Sequence, residues 1–296
     1  MYTDIFGKKR VRLGLHHHTA LSDGSRTPEQ VARIYGDAGY DAIALTDHWV
    51  YGEPRELEGL TVLSGAEYNI GGRDSSNGVY HIVALMCDRE PDTSKGADDI
   101  SAQELIDAIH VVNGIAVLAH PAWSLNTPQM IMALHDIDAT EIYNNVSCKG
   151  MSRRADSSLI VDMLGNNGVF LPLLATDDSH YYSDKGFDDA PCAFIMAECD
   201  SLEPTALKKA IREGRFYAST GPEIHLKRID ENKVAVHCSP CSEVVFMSNV
   251  SWAKGRATVG DGIVYQEYEL YPEEAYVRAY VTDKDGRTAW SNCLVL

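Results

Sequence analysis

The sequence has no apolar run long enough to span a bilayer, and its first ten residues hold no apolar core of signal-peptide length. Neither a membrane span nor a membrane partner is expected, and the chain reads as cytoplasmic. Positive charge is also scarce. Twenty-six Lys and Arg stand against 43 Asp and Glu, a net charge of −17. A surface of that sign repels a polyanion, which counts against non-specific nucleic-acid binding. No internal repeat and no low-complexity linker interrupts the 296 residues, so any join between domains is tight. The seven cysteines read as reduced thiols in such a compartment rather than as a disulfide framework. Cys238-Ser-Pro-Cys241 is a lone C-x-x-C, read as packing in preference to a zinc knuckle or redox site.

What is present is a rhythm of short apolar strands and amphipathic helices, an α/β pattern long enough for a large core. Thr27-Pro-Glu-Gln30 opens a helix. Thr27 can cap, Pro28 suits the first helical position and Gln30 completes a capping box. Val31, Ile34, Tyr35 and Ala38 make its apolar stripe, and Gly39 ends it. A buried-type strand over 41–46 follows, and a β-α-β unit of this kind implies parallel strands. Further strands are predicted over 60–66, 79–86, 115–119, 140–143, 169–175 and 192–197. Helices are predicted from the Ser101-Ala-Gln-Glu104 box and over 128–134, 156–167 and 204–213. Residues 71–78 and 88–99 read as loops, the first over the strand-end face. From about Pro222 the helical period stops and short alternating segments take over, with a hairpin turn at Thr282-Asp-Lys-Asp-Gly286. This predicts a main domain over 1–221 and a small antiparallel, sandwich-like β domain over 222–296.

Metal-ligand residue types recur at one place in this rhythm. An apolar run over 11–15 leads into His16-His17-His18. On an extended strand residues i and i+2 share a face, so His16 and His18 can reach one metal ion while His17 faces away. Ser22-Asp23-Gly24 turns a carboxylate back toward the same place. His48, Glu67, His120 and the Asp178/His180 pair each follow a predicted strand, and His81 lies near the start of another. Parallel α/β barrels build their sites at the C-terminal strand ends. A tag remnant explains three adjacent histidines but not that recurrence. Asp177 competes with Asp178; Asp178 is preferred because Asp-x-His repeats the i, i+2 spacing. Asp47 and Asp177 then become candidates for supporting a ligand histidine. His110 and His135 read as packing or capping residues, and His225 and His237, in the C-terminal module, as unrelated to metal. Asn144, Arg153 and Arg154 are candidates for substrate contact, since Arg suits bidentate phosphate binding. A solvated helix start is the competing account of the two arginines. Tyr181 and Tyr182 are candidates for the pocket wall and Trp49 and Trp123 for its aromatic rim, with packing in the core as the competing account of each.

Taken in order, Leu15-His-His-His-Thr19 with Ser22-Asp-Gly24, Leu45-Thr-Asp-His48, Gly65-Ala-Glu67, Tyr80-His81, Ala119-His-Pro121 and Asp178-Ser-His180 resemble the motifs of the PHP superfamily, named for polymerase and histidinol phosphatase domains. Arg215-Phe-Tyr-Ala-Ser-Thr-Gly-Pro222 and Ala289-Trp-Ser-Asn292 resemble a two-domain branch related to carbaryl-hydrolase-like proteins. The resemblance implies a distorted (β/α)7 barrel with two to three divalent ions in a trinuclear-type centre. By the family pattern, His16, His18, Glu67 and Asp178 hold one ion. Glu67, His81 and His120 hold a second, and Asp23, His48 and His180 a third. A nitrogen and oxygen set without thiolates suits Zn²⁺, Mn²⁺ or Fe. The implied activity is hydrolysis of a small-molecule phosphate ester by a metal-bridging hydroxide held by Glu67 and Asp178, with His180 and His48 nearby. Three dications with three carboxylates leave a local charge of about +3, which attracts phosphate into an acidic protein. A carboxyl-ester or carbamate hydrolase using the same centre is one alternative, and a non-catalytic, metal-stabilised binding module another. Oligomeric state and natural substrate are not legible.

Overall fold

Each short apolar run that is buried on both faces becomes a strand, and the strands assemble into two sheets. The computed structural model describes residues 1–72, 78–182 and 190–296. The first sheet starts from Lys9–Gly14, which pairs in parallel with Ala42–Ala44, itself parallel to Leu60–Leu63. Between the first two strands runs the helix Pro28–Asp37, which buries Val31, Ala32 and Tyr35. Its capping box is formed. Gln30 N–H donates to Thr27 Oγ1 at 3.3 Å and Thr27 N–H donates to Gln30 Oε1 at 3.0 Å. Thr27→Ala should therefore cost about 1 kcal/mol in a urea melt. The second box, Ser101 with Glu104, caps Ala102–Val111 in the same way.

The expected strand over 60–66 is two strands. Leu60–Leu63 stays in the first sheet; the chain turns at Ser64, and Gly65–Ile70 joins the second. The turn brings the backbone against the end of the preceding strand. A Cβ on Gly65 would lie 2.9 Å from both the Leu45 carbonyl oxygen and Thr46 Cγ2, so only glycine fits. Glu67 consequently lies inside a strand rather than after one.

The second sheet runs Leu173–Thr176, Ala139–Asn144, Ile115–Leu118, Tyr80–Leu85, Gly65–Ile70. Its first three members are parallel, but Tyr80–Leu85 is antiparallel to both neighbours, which corrects the all-parallel expectation. No helix separates Gly65–Ile70 from it among the described residues, so no crossover carries the chain back to a parallel start. The predicted loop residues 73–77 lie outside the described residues. Reversal has a consequence for the site: the start of Tyr80–Leu85, with His81, lies at the end of the sheet where the parallel strands finish.

Val11, Leu13 and Leu15 from the first sheet and Val83, Leu85, Ile115 and Val117 from the second share one buried cluster. The hydrogen-bonded ladders leave two sheets, not one closed cylinder, among the described residues. Isolated bridges, His17 to Ser179 and His48 to Glu67, tie the sheets together at the strand ends.

The antiparallel C-terminal strands are Ile224–Asp230, Lys233–Met247, Ala257–Glu269, Tyr276–Thr282 and Thr288–Ser291. The predicted turn at 282–286 joins the last two. Phe216–Ser219, a strand the periodicity did not signal, pairs with Thr288–Ser291 on one side and Phe194–Glu198 on the other. Phe194–Glu198 in turn pairs with Lys9–Gly14, so one sheet runs from the N-terminal strands into the C-terminal ones. Cys238 and Cys241 are buried in that apolar packing. No helix among the described residues is long and apolar enough to cross a membrane.

Candidate metal centre

The strand Lys9–Gly14 ends two residues before His16, but the chain stays extended because both neighbours keep hydrogen-bonding to it. Thr46 N–H donates to the His17 carbonyl at 2.8 Å, Asp178 N–H to that of His16 at 3.0 Å, and His18 N–H to that of Ser179 at 2.9 Å. The i, i+2 geometry follows. His16 and His18 face one side, their Nε2 atoms 3.2 Å apart. His17 faces the other, its ring 4.1 Å from that of Tyr35 and its Nδ1 3.2 Å from Ser179 Oγ.

Glu67 occupies the middle of the cluster. Its Oε1 is 2.7 Å from His81 Nδ1 and 3.3 Å from His120 Nε2. Its Oε2 is 3.2 Å from His16 Nε2, 3.0 Å from His18 Nε2 and 3.2 Å from His48 Nδ1. Asp178 Oδ1 lies 3.3 Å from His16 Nε2 and 3.1 Å from His18 Nε2. The turn at Ser22–Gly24 brings Asp23 Oδ1 to 3.4 Å from His180 Nε2. His180 Nδ1–H donates to the Asp178 carbonyl at 2.7 Å, which leaves Nε2 for the cluster. All nine candidate ligands thus fall into three groups whose donor atoms lie within 4.8 Å of one another. One is His16, His18, Glu67 and Asp178; a second is Glu67, His81 and His120. The third is Asp23, His48 and His180, with His18 as an additional member.

The donor chemistry fits divalent cations. Glu67 Oε2, Asp178 Oδ1 and His48 Nδ1 are buried without a hydrogen-bond partner among the described residues. A buried carboxylate oxygen in that position calls for a proton or a cation. Spacings of 3.0–3.3 Å between donor atoms also match the roughly 3.3 Å edge of a tetrahedron with about 2.0–2.1 Å bonds. The groups differ in exposure. His16, His18 and Glu67 are sealed, whereas the Asp23 side chain is 47% and the His48 side chain 24% exposed. Among the described residues the third group is therefore the most open to solvent.

Electrostatics bind the cluster together. Burial disfavours a charged His16, but Asp178, Glu67 and Glu141 lift it well above the ordinary imidazole range. His18 is raised to about 9, burial being outweighed by Asp178 and Glu67. Burial likewise opposes ionisation of Glu67 and Asp178, and the surrounding histidines hold both well below the usual carboxylate range. Two acids at the centre thus draw positive charge inward. His120 (φ 30°) and Asp178 (φ 49°) adopt left-handed backbone conformations, and strain of that kind gathers at functional sites.

Asp178, not Asp177, is the carboxylate in the cluster. Asp177 turns away to accept the N–H groups of Cys192 and Ala193 and the hydroxyl of Tyr35. Burial, partly offset by those donors, raises it to about 6. Asp47 supports the turn instead of a histidine, accepting from Thr19 N–H at 2.7 Å, Thr19 Oγ1 at 2.8 Å and Ser22 Oγ at 2.7 Å. Asn144 is fully buried and donates to Glu141 and Asp178, which places it behind Asp178 rather than against substrate. Arg153 and Arg154 are exposed, and no ion pair joins either to a described residue. His110 pairs with Asp138, and His225 with Glu223, away from the cluster.

The aromatic candidates divide. Trp123 packs its ring 5.4 Å from His81 and 4.9 Å from His120, and Tyr182 stacks on His180 at 4.9 Å with its hydroxyl donating to Asp23. Trp49 instead donates to Asn69 and packs edge-on against Tyr68. Sequence reasoning missed Glu141, which accepts from His16 Nδ1 at 2.7 Å. The signal for it was a charged residue inside the apolar strand Ala139–Asn144.

No protein-family model and no curated protein matches the chain. Among solved structures it is similar to a two-domain protein containing a predicted PHP-like metal-dependent phosphoesterase from Bacteroides vulgatus. The TM-score is 0.54 and the identity 15%, over 99% of this chain and 96% of that one. It also matches an inferred metal-dependent phosphoesterase from Bifidobacterium adolescentis (TM-score 0.42, 14% identity, 60% and 91% covered). A third match is an amidohydrolase from Chromobacterium violaceum with bound sulfate and no metal (TM-score 0.42, 16% identity, 59% and 89% covered). The first of these establishes a shared, PHP-like fold.

Proposed function

We propose that this chain, with its PHP-like fold, is a metal-dependent hydrolase acting as a phosphoesterase on small-molecule phosphate esters. The observation that carries the proposal is the convergence of nine donors, two of them the buried carboxylates Glu67 and Asp178, each of which keeps one oxygen without a hydrogen-bond partner among the described residues. In this reading the strands of both sheets that lie within 1–221 form a distorted (β/α)7 barrel, and 222–296 is a β domain that continues its first sheet. His16, His18, Glu67 and Asp178 hold one ion, Glu67, His81 and His120 a second, and Asp23, His48 and His180 a third. Bound Zn²⁺, Mn²⁺ or Fe supplies an activated water and a Lewis acid for the phosphoryl oxygens. Glu67 and Asp178 orient that chemistry, His48 and His180 stand beside it, and Trp123 and Tyr182 wall the approach. Arg153 and Arg154, exposed and joined by no ion pair to a described residue, serve to attract the anion.

Protein purified without added metal should contain divalent ions by elemental analysis and release phosphate from p-nitrophenyl phosphate. A chelator should lower that rate by at least about 100-fold, and Mn²⁺ or Zn²⁺ should restore it. Full activity after stripping would reject the proposal. Cleavage of p-nitrophenyl acetate with phosphate esters untouched would favour a carboxyl-ester or carbamate hydrolase.

A further inference from the structure

Glu141 is a charged side chain in the apolar strand Ala139–Asn144 with none of its surface open to solvent. Its two oxygens receive four donors. Oε1 accepts from His16 Nδ1 at 2.7 Å and from Thr176 Oγ1 at 2.8 Å. Oε2 accepts from the His120 backbone N–H at 2.9 Å and from Asn144 Nδ2 at 2.8 Å. Asn144 Nδ2 also donates to Asp178 Oδ2 at 3.1 Å. One carboxylate outside the donor groups thereby touches the segments that carry His16, His120 and Asp178.

We infer that Glu141 is a positioning residue for the metal centre, holding His16 in the tautomer whose bare Nε2 faces Glu67 and Asp178. The inference rests on reading the cluster as a metal site. A neutral imidazole carries one N–H, and the hydrogen bond made by one ring nitrogen decides which face of the ring is free to bind a metal. A carboxylate only accepts, so a neutral His16 must place its proton on Nδ1.

A glutamine at 141 would offer one acceptor and one NH2 group. An NH2 in the place of Oε2 would confront the backbone N–H of His120. It would also meet the amide of Asn144, whose Oδ1 is already taken by Ser147 N–H at 3.2 Å and Ser147 Oγ–H at 2.8 Å. The NH2 therefore takes the place of Oε1. Thr176 can rotate its hydroxyl to accept, and His16 Nδ1 becomes an acceptor. The His16 proton then moves to Nε2, 3.2 Å from Glu67 Oε2 and 3.3 Å from Asp178 Oδ1, and covers the lone pair a metal needs.

The test compares wild type, Glu141→Gln and Thr176→Val for zinc stoichiometry and for affinity by chelator competition. Nitrogen-15 imidazole NMR of zinc-loaded wild type reads the His16 tautomer. Glu141→Gln should bind zinc about 10- to 100-fold more weakly. Thr176→Val, which removes the other donor to the same oxygen, should stay within about twofold, since the His16 bond is kept. The NMR spectrum should show the His16 proton on Nδ1. Wild-type affinity in Glu141→Gln, or a His16 proton on Nε2 in the wild type, would overturn the inference and leave the metal centre standing. Should Glu141→Gln not fold, the wild-type spectrum still decides. A wild type that binds no zinc at all would instead remove the reading beneath it.

Discussion

Glu67→Gln should lose its tightly held metal and with it at least about 1,000-fold in phosphate release, because the activated water goes with the ions. Glu67 is the one carboxylate shared by two of the donor groups. Its oxygens divide between His81 and His120 on one side and His16, His18 and His48 on the other. An anionic carboxylate can bridge two cations; an amide has one donor oxygen, no charge, and an NH2 that must point at one of them. The loss corresponds to about 4 kcal/mol of transition-state stabilisation. It is read from kcat/KM on p-nitrophenyl phosphate together with elemental analysis of the same sample, and circular dichroism checks that the variant folds. A variant that keeps its ions and stays within tenfold of wild type would show that Glu67 is not the bridge.

The largest expected effect on stability lies far from that cluster in sequence. Arg278, on the strand Tyr276–Thr282, is fully buried and donates from Nε to Asp162 Oδ1 at 2.7 Å and from Nη2 to Asp162 Oδ2 at 2.8 Å. Asp162 lies on the helix Ser158–Asn166, so this bidentate pair joins the C-terminal strands to the helix behind the second sheet. Burial works against the charged guanidinium, and Asp162 more than compensates, raising Arg278 above its ordinary range. Packing around the pair is close: a Cβ on Gly165, one turn along the helix, would lie 2.7 Å from the Tyr276 ring. Asp162→Ala would strand a buried cation, and breaking such a pair costs about 3–5 kcal/mol, a large share of a typical folding free energy. Urea unfolding should show that loss. The double replacement Asp162→Leu with Arg278→Met, which removes both charges, should recover most of it. Equal destabilisation by the single and the double change would mean that shape rather than charge governs this contact.

The nine candidate ligands were legible because their chemistry is local. His-x-His writes the i, i+2 geometry directly into the sequence and the backbone at 16–18 realises it, whereas Asp178 takes a left-handed backbone and its Asp-x-His pair is split between two donor groups. Glu141 was not legible as part of the site. A lone acid in an apolar strand says that something must satisfy it, but its four donors come from residues 16, 120, 144 and 176, which only folding assembles. Asn144 was misplaced for the same reason: a polar residue after a strand can face substrate or face inward, and the sequence does not say which.

By itself the sequence determined the local order of this protein. The helices at Pro28 and Ala102 follow from capping boxes, and the strands from short apolar runs. Those properties depend on neighbours a few residues away, so a linear reading reaches them. Tertiary structure alone decided the antiparallel course of Tyr80–Leu85, the break at Ser64 and the distances at which the nine donors meet. Strand direction depends on which partner offers its hydrogen bonds, and the meeting of distant ligands depends on how two sheets pack on one core. Neither leaves a periodic trace along the chain.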